Sequence, residues 1–281
     1  MSWTKEKEGT AITKGSILEM AKQEVSKRLA LLEERHRTFT CSLIYGEPKT
    51  GKSGIAMDCR TEEEIENGCE VRILDFDNGC EPTWRKNWDA DPTIKILNPI
   101  VRDDEGYPDL DQTILLSEAF IAMIQEDLNN GVNIKFVFDG VDRWNSLCFL
   151  TMTEDKRSTN TKFLPVLWGK RNKIHDDLMD KAVALTCDRF FITHMKDVYE
   201  GGISNPNPTG RTYDVGKSVP RHMNQMIEVY KEVIGLKHAH IMRLEASRTG
   251  PELVGKTWKF LTIENGKVVW ESISELQEGE L

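Results

Sequence analysis

Residues 46–53 have the pattern G-x-x-x-x-G-K-[ST]. They follow a strand-like run at 39–45 and precede a helical stretch, which is the context in which this pattern binds phosphate. Backbone N–H groups of such a loop point at phosphate oxygens, while the ammonium of Lys52 adds a positive charge and the hydroxyl of Ser53 binds Mg²⁺. The pattern predicts a nucleotide site, against the alternative of an ordinary glycine turn. The residues expected to bind the nucleotide are Gly46, Glu47, Pro48, Lys49, Thr50, Gly51, Lys52, Ser53 and Gly54.

An apolar run at 134–139 ends in a carboxylate, Asp139. An acid at the end of a buried strand is common by itself, but beside a phosphate loop it would hold Mg²⁺ together with Ser53. Asp139 is therefore the second predicted metal ligand. Asp142, three residues later, is assigned instead to capping the helix that follows.

Two further strand-like runs also end in polar side chains. The run 71–76 leads into Asp77, and a carboxylate there could orient and deprotonate the water that attacks a terminal phosphate. The alternative for Asp77 is a plain acidic turn. The run 190–193 leads into His194, which could contact the terminal phosphate and report its loss to the loop that follows, or could serve a structural purpose only.

Strand-like runs alternate with helix-like stretches through most of the chain. This alternation is typical of a mostly parallel sheet with helices on both faces. From about residue 225 the pattern changes to short alternating segments with glycines at the turns, which predicts a C-terminal antiparallel β extension of the same sheet. We therefore predict an α/β fold. The predicted strands are 39–45, 71–76, 94–97, 134–138, 190–193, 225–232, 239–246, 257–262 and 267–271, and the clearest predicted helices are 111–130 and 167–185.

Three segments lie outside this alternating pattern. Residues 15–35 carry apolar side chains at three-to-four spacing, which predicts an amphipathic helix that docks on the core or on a neighbouring subunit. Residues 195–217 are rich in glycine, asparagine and proline and exceed ordinary connectors in length, which is typical of a functional or a disordered loop. We expect an N-terminal helical arm at 1–37, a core at 38–271 and a solvated acidic tail at 272–281.

The composition, 39% hydrophobic and 30% charged over 281 residues, is that of a globular chain. The longest uninterrupted apolar run, 119–124, is far shorter than the ~18 residues that cross a bilayer. The charged N-terminus lacks the apolar core of a secretion signal, so we expect a cytoplasmic location. The six cysteines never show C-x₂-C spacing and are expected to be plain thiols. The net charge of −9 means that any contact with DNA must come from a local basic stretch.

The order of these motifs resembles that of a RecA-type P-loop ATPase, and most closely the small RecA-core ATPases of phages and archaeal viruses that are associated with single-strand annealing. The likeness covers roughly residues 38–263 and begins with the phosphate loop. The stretch 73–82 resembles the strand that carries the family's catalytic acid. This implies that Asp77 activates water, although the family usually has glutamate there, and that Glu81 lies near the adenine.

The resemblance also implies roles for residues nearer the C-terminus. Asp139 would hold Mg²⁺, and His194 stands where the family has a γ-phosphate sensor, usually glutamine or histidine. Residues 195–217 stand in the place of a loop that touches single-stranded DNA. The stretch 243–251 looks like the strand and turn that present basic residues to a neighbour's ATP, with Arg248 at one such position. The implied catalytic residues are Lys52, Asp77, His194 and Arg248, and the implied cofactors are ATP and Mg²⁺.

Six basic residues with no acid among them lie between positions 156 and 173 of this otherwise acidic chain. Such a patch would neutralise DNA phosphates and give salt-sensitive binding. Phe163 and Trp168 are interleaved with the bases and could stack on nucleobases or belong to the core. In the loop at 195–217 acidic residues offset the charge of the basic residues. Any binding of DNA there is therefore expected to depend mainly on its adaptable backbone. The residues expected to contact DNA are Lys156, Arg157, Lys162, Lys196 and Arg211.

Three functions fit these features. The first is an ATPase that assembles with copies of itself on single-stranded DNA, promotes annealing or strand exchange and works beside a single-strand-binding protein. The second is a DNA translocase or a packaging or replicative motor. The third is a nucleotide-gated binding module with little hydrolysis, because Asp77 is one methylene shorter than the usual glutamate. No membrane partner is expected.

Overall fold

The computed structural model describes residues 18–23, 25–26, 29, 39–153, 165–198, 210–216, 218–234, 237–264 and 267–281. The chain forms two units, residues 1–38 and residues 39–281. In the first unit the described residues are helical, and Leu18, Val25 and Leu29 are exposed. The remainder of the helix predicted at 15–35 lies outside the described residues.

A single sheet organises the second unit. Its strands are β1 (Cys41–Gly46), β2 (Glu70–Asp75), β3 (Ile94–Leu97), β4 (Ile134–Asp139), β5 (Arg189–Val198), β6 (Gly210–Tyr213), β7 (Gln225–Ile234), β8 (Lys237–Ser247), β9 (Thr257–Glu264) and β10 (Lys267–Trp270). Over the described part of the chain the strand order is β10-β9-β8-β7-β1-β5-β4-β2-β3, and β6 pairs with β5 alone. The strands from β7 to β3 in this order are parallel.

Helices connect the parallel strands and cover both faces of the sheet. They are α1 (Lys52–Met57), α2 (Glu62–Glu66), α3 (Cys80–Asn87), α4 (Leu110–Asn129), α5 (Val141–Cys148), α6 (Pro165–Val183), α7 (Val219–His222) and α8 (Ser274–Gln277), with short 3₁₀ turns at Phe149–Met152 and Pro251–Leu253. No helix among the described residues is long and apolar enough to span a bilayer.

The central strands β1, β2 and β4, and β5 as far as Thr193, are buried on both faces, which is why their sequences read as nearly continuous apolar runs. Successive side chains alternate between two cores. Phe138 and Phe191 belong to one core, with residues of α4, α5 and α6, while Val137 and Ile192 belong to the other, with residues of α1, α3 and α8. The prediction of an α/β fold with a mostly parallel sheet and helices on both faces is confirmed.

The register of the strands brings their carboxyl ends to one edge of the sheet. Asp75 at the end of β2 is level with Asp139 at the end of β4. Gly46, which ends β1, is level with His194 of β5, and Asp139 is level with Ile192. The strand ends predicted to carry the chemistry therefore meet at a single edge, as parallel pairing requires.

The direction of β7 differs from the prediction. The alternating segment at 225–232 was expected to begin the antiparallel extension, but β7 pairs parallel to β1, with Ser42 level with Gln225. The connection from β6 returns the chain to the amino ends of the strands before β7 begins, so β7 runs in the same direction as β1. The antiparallel extension therefore starts at β8.

The segment predicted as a long loop at 195–217 begins and ends as a β-hairpin. β5 continues past the sheet edge to Val198 and pairs antiparallel with β6, with Met195 opposite Tyr213. The glycine and proline content that predicted a loop belongs mainly to positions 199–209, which lie outside the described residues.

The C-terminal residues 272–281, predicted to be a solvated acidic tail, pack on the core. Ile273, Leu276 and Leu281 are buried and belong to the same core as α1. The Nζ of Lys135 donates a hydrogen bond to the carbonyl oxygen of Gln277, at 2.9 Å. The apolar residues of this segment are spaced widely among its glutamates, which concealed the buried face in the sequence.

Candidate nucleotide-binding site

The phosphate loop connects β1 to α1 and passes close to β7. A Cβ on Gly46 would lie 2.0 Å from the backbone oxygen of Val229, so only glycine fits between the two strands. Gly51 has a left-handed backbone with φ 97°, and a Cβ there would lie 3.0 Å from the ring of Phe260. Both glycines of the motif are therefore required for the turn.

Lys52 supplies the cation of this loop. Its Nζ donates hydrogen bonds to the carbonyl oxygens of Gly46 and Glu47, at 3.0 and 2.8 Å. Burial lowers the pKa of Lys52 to about 8, although Asp139 and Asp142 oppose this shift. A phosphate in the loop would stabilise the charged form and give the ammonium an anionic partner in place of neutral carbonyls.

The two predicted metal ligands lie in direct contact. The Oγ of Ser53 donates a hydrogen bond to Oδ2 of Asp139, at 2.6 Å. The same oxygen accepts from the thiol of Cys80, at 3.0 Å, and the backbone N–H of Cys80 donates to Asp75. Hydroxyl and carboxylate oxygens are the ligands that Mg²⁺ prefers, so Ser53 and Asp139 fit this ion. The six cysteines are free and buried, as expected, but Cys80 contacts the carboxylate of Asp139, a predicted metal ligand.

Asp77, His194 and Asp142 form a second polar cluster at the same edge. The Nδ1 of His194 lies 3.6 Å from Oδ2 of Asp77 and 3.1 Å from Oδ2 of Asp142. Burial, followed by repulsion from Asp142 and Asp139, raises the pKa of Asp77 to about 6. The hydrogen bond with Asp142 raises the pKa of His194. The cluster thus places a carboxylate able to accept a proton near neutral pH beside a positively polarised imidazole.

These groups open into one cleft of about 520 Å³. The predicted residues that line it are Pro48, Lys49, Thr50, Gly51, Lys52, Ser53, Gly54, Asp77, Asp139 and His194. Its other walls are Gly79, Thr83, Asn87, His240, Leu261 and Trp270. A cleft of this volume at the carboxyl ends of parallel strands is a typical ligand site of α/β proteins.

Several lining residues were missed by the sequence analysis. Thr83 and Asn87 lie one turn apart on α3, and their i, i+4 spacing would have placed them on one helix face. The Nδ1 of His240 lies 2.6 Å from the backbone oxygen of Thr50. His240 and Trp270 belong to antiparallel strands that are remote in sequence, and no local motif marks them.

Asp142 was assigned to helix capping, but it contacts His194. Its Oδ1 lies 3.4 Å from the backbone N of His194, and its Oδ2 faces the imidazole. Burial would raise the pKa of Asp142, but these hydrogen bonds and the charge of His194 lower it. Its position in the first turn of α5, directly beyond Asp139, was the available signal.

Glu81 does not reach the cleft. It is exposed on α3 and pairs with Arg85, with 2.7 Å between Nη2 and Oε1. Thr83, two residues later, points about 200° away around the helix and lines the cleft instead. The assignment of Glu81 to the adenine is therefore not supported within this chain.

Arg248 also lies away from the cleft. It follows β8, whose last residue, Ser247, is level with Gln225 at the amino end of the parallel strands. Its Nη2 donates to the backbone oxygen of Arg221, at 3.4 Å. Because the phosphate loop lies at the opposite, carboxyl end of these strands, Arg248 could act only on a nucleotide held by another subunit.

The predicted DNA-binding residues are divided. Three lie outside the described residues: Lys156, Arg157 and Lys162. The other two are on the β5–β6 hairpin, where Lys196 pairs with Asp214 at 2.8 Å and Arg211 pairs with Asp197 at 3.1 Å. Arg211 also forms an ion pair with Glu47 of the phosphate loop. The hairpin and the phosphate loop are therefore in direct contact.

Comparison with known proteins gives similarity to solved structures only. The KaiC-like protein PH0186 from the hyperthermophilic archaeon Pyrococcus horikoshii OT3 is 12% identical, with 83% of this chain and 89% of that chain covered and a TM-score of 0.45. The RadB recombinase is also 12% identical, with 83% and 90% covered and a TM-score of 0.44. No protein-family model matches the chain, and no curated protein sequence matches it. At this identity the likeness concerns the fold alone.

Proposed function

We propose that the protein is a Mg²⁺-dependent ATPase with a RecA-type core that binds single-stranded DNA and assembles with copies of itself. The observation that carries the proposal is the 2.6 Å contact between Ser53 and Asp139 beside the buried Lys52. A phosphate-loop hydroxyl and a strand-end carboxylate at this distance can share one cation, while the lysine holds the phosphates.

In the proposed hydrolysis of ATP, each residue of the cleft has its own role. Loop amides and Lys52 bind the triphosphate, and Ser53 and Asp139 would hold Mg²⁺, which polarises phosphate oxygens when bound. Asp77 accepts a proton from water as the water oxygen bonds to the γ-phosphorus. The bond from that phosphorus to the bridging oxygen breaks, and ADP and phosphate leave. His194 lies close enough to Asp77 to contact the same phosphate.

The DNA-binding part of the proposal draws on the contact between Arg211 and Glu47. Arg211 lies on a hairpin that touches the phosphate loop. If its guanidinium binds a DNA phosphate, Glu47 loses its positively charged partner, and the charge at the mouth of the nucleotide cleft changes. Binding that depends on such bases weakens with salt, because released counterions drive it. DNA is therefore expected to alter ATP turnover in a salt-dependent manner.

The direct test is ATP turnover with and without single-stranded DNA, at low and high salt. The wild type is expected to release phosphate over many turnovers, and DNA should stimulate release at low salt more than at high salt. Lys52→Ala should lower turnover at least ~100-fold, because the phosphates lose their cation. Lys86→Ala, an exposed lysine on α3, is the matched control and should behave as the wild type. Equal turnover by Lys52→Ala and the control would refute the assignment.

A nucleotide-gated binding module with little hydrolysis is the second candidate. The observation that favours it is the proximity of Asp77 to His194, at 3.6 Å, because a carboxylate held by an imidazole is less free to accept a proton from water. A single burst of phosphate equal to the enzyme concentration, with ATP-dependent DNA binding retained, would establish this candidate. Multiple turnover excludes it.

A further inference from the structure

A second cleft, of about 410 Å³, lies at the carboxyl ends of β2, β3 and β4, next to the nucleotide cleft. We call it the arginine cleft and define it by Asn78, Asn98, Arg102 and Arg143. Its other walls are Phe76, Asp77 and Ile100. Among the described residues, Asp77 alone lines both clefts. The proposed catalytic acid is therefore the wall at which the two clefts adjoin.

The sheet edge gives the arginine cleft a rigid base. Phe76 is only 1% exposed, and the centre of its ring lies 5.1 Å from that of Phe138 and 5.4 Å from that of Trp144. The Oδ1 of Asn98 accepts a hydrogen bond from the backbone N–H of Ile100, at 2.9 Å. The side-chain NH₂ group of Asn98 then remains as a donor. The cleft thus has a fixed apolar floor and polar walls that donate hydrogen bonds.

The two arginines of this cleft keep donors that the fold does not use. Arg143, in the first turn of α5, is exposed and has no hydrogen bond or ion pair with any described residue. Arg102 is also exposed, and its Nη1 donates to the backbone oxygen of Gly106, at 2.9 Å. Because a guanidinium carries five N–H donors, Arg102 retains others for a ligand. Both side chains are therefore available to an anion.

Positive charge exceeds negative charge among the residues that line the arginine cleft. Arg102 and Arg143 share it with one carboxylate, that of Asp77. The acids next to the two arginines in the sequence, Asp103 and Asp142, do not line it. Asp103 accepts backbone N–H groups of its own turn, and Asp142 contacts the imidazole described above. Guanidinium groups bind phosphate oxygens through paired hydrogen bonds, so the cleft suits a small oxyanion.

The proposed hydrolysis produces such an anion beside this cleft. When the water oxygen bonds to the γ-phosphorus and Asp77 takes the proton, the products are ADP, hydrogen phosphate and the neutral acid of Asp77. The phosphate therefore forms next to a wall that has just lost its negative charge, with two arginines beyond it. ADP still occupies the phosphate loop, so a receiving site outside that loop allows the phosphate to leave first. Asp77 then releases its proton to solvent.

We propose that the arginine cleft binds the inorganic phosphate released from ATP, held by Arg102 and Arg143 with the side-chain amides of Asn78 and Asn98 as further donors. The inference rests on the proposed function, because hydrolysis supplies the ligand. A DNA phosphodiester is the competing ligand. It carries one negative charge and would meet the ionised carboxylate of Asp77 between turnovers, whereas hydrogen phosphate carries two charges and forms beside the neutral acid.

The test measures the binding of radiolabelled inorganic phosphate by equilibrium dialysis in the presence of Mg²⁺, with and without saturating ADP. ADP fills the phosphate loop, so the wild type with ADP is expected to bind one phosphate per chain. Arg143→Ala should weaken this binding about 10-fold, because charge-assisted hydrogen bonds are lost. Arg143→Lys should recover part of it, since the charge is kept without the paired donors. Arg85→Ala, which removes an exposed arginine that lines neither cleft, is the matched control.

The outcomes separate this inference from the proposed function. If the wild type does not turn over ATP, the proposed function fails and this inference fails with it. If it turns over ATP but phosphate binds only without ADP, or binds equally well to Arg143→Ala, only the arginine cleft assignment is overturned.

Two further results would assign Arg143 differently. If a single-stranded oligonucleotide displaces the phosphate and Arg143→Ala weakens binding of the oligonucleotide by the same factor, the cleft binds DNA and the assignment to inorganic phosphate is overturned. If Arg143→Ala lowers kcat while phosphate binding is unchanged, Arg143 acts on the reacting phosphate, and the assignment is again overturned. Weaker phosphate binding by Arg143→Ala with unchanged oligonucleotide binding supports it.

Discussion

The two ends of the parallel strands both bury charged groups, but they treat them differently. At the amino ends, Lys135 donates to the backbone oxygens of Cys59 and Gln277 and pairs with Glu64, at 2.7, 2.9 and 2.7 Å. Asp188 accepts from the backbone N–H of Thr40 at 2.9 Å. These charges are matched by opposite charges and by backbone groups, so they fix the structure.

At the carboxyl ends, charges of the same sign are brought together. Asp77, Asp139 and Asp142 lie near one another, and their repulsion helps to raise the pKa of Asp77 to about 6. Groups whose pKa is displaced toward neutrality are typical of functional sites. Burial alone therefore does not identify a functional charge: a charge with complete partners stabilises the fold, and a charge with competing neighbours is a candidate for chemistry.

The largest effect is expected at the amino ends, in Lys135→Ala. Removing the ammonium leaves Asp188 buried with less compensation and removes hydrogen bonds to two backbone oxygens, so we expect a loss of about 3–5 kcal/mol of unfolding free energy. ATP turnover per folded molecule should stay near that of the wild type.

The measurement is denaturant unfolding followed by turnover of the folded fraction. Lys95→Ala is the matched control, since Lys95 is half exposed and pairs with Glu70. Its loss should change stability by less than about 1 kcal/mol. A stable Lys135→Ala protein without activity would reverse the comparison between the two ends.

The second prediction concerns Asp77→Asn at the carboxyl ends. Turnover should fall about 100-fold, because the amide cannot accept a proton from water, while the KM for ATP changes little. Asp77→Glu should retain activity because it keeps the carboxylate. The rate of the wild type should rise with pH through about 6, as Asp77 ionises.

The same variant should gain stability. An acid whose pKa is raised in the folded state holds its proton more tightly there, so it costs stability once the pH passes above the folded pKa. At pH 7.5, Asp77→Asn should therefore melt ~2–4 °C higher than the wild type, as a gain of about 1 kcal/mol would give. A lower melting temperature would show that Asp77 is a structural charge.

The third prediction tests whether Arg248 connects the two ends across subunits. Arg248→Ala should bind ATP normally and turn it over about 10-fold more slowly in the presence of DNA, because the amino-end arginine of one chain would complete the site of the next. A mixture of Arg248→Ala with Lys52→Ala should recover part of the activity, since an intact arginine then meets an intact phosphate loop. Normal turnover by Arg248→Ala with DNA would exclude a shared site.

The smallest effect is expected for Asp142→Asn, a residue that acts through His194. The imidazole would lose its charged partner, so turnover should fall several-fold while ATP affinity is kept. The pKa of His194 should also fall, and titration of the imidazole by NMR measures that fall directly, which a purely structural role for Asp142 would not predict. An unchanged His194 titration would remove Asp142 from the cluster.

The parallel core was predictable because each buried strand carries its own signal. The runs at 71–76 and 134–138 are mostly apolar and lead directly into acids, so β2, β4 and the edge that holds Asp77 and Asp139 followed from local sequence. The direction of β7 was not predictable in the same way. It depends on how the preceding connection returns the chain to the amino ends, which no side-chain pattern in β7 records.

The candidate site likewise combines residues that a local sequence pattern marks with residues that only tertiary packing brings in. The phosphate-loop pattern has a fixed spacing and Asp139 ends a buried strand, so the residues predicted to bind the nucleotide and the metal could be chosen from local sequence. His240 and Trp270 enter the nucleotide cleft from antiparallel strands that are far from the phosphate loop in the sequence. Such convergence depends on tertiary packing, so it could not be read from neighbouring residues.

The contact between Arg211 and Glu47 gives the molecule a built-in trade-off. The guanidinium of Arg211 cannot pair fully with a polynucleotide phosphate and with the carboxylate of Glu47 at the same time. Whichever anion pairs with it leaves the other without this positive partner. A partner that moves the hairpin outward would separate Arg211 from Glu47. The electrostatic potential that an incoming triphosphate meets would then become more negative. Under the proposed function, this one side chain would make polymer binding and nucleotide binding depend on each other.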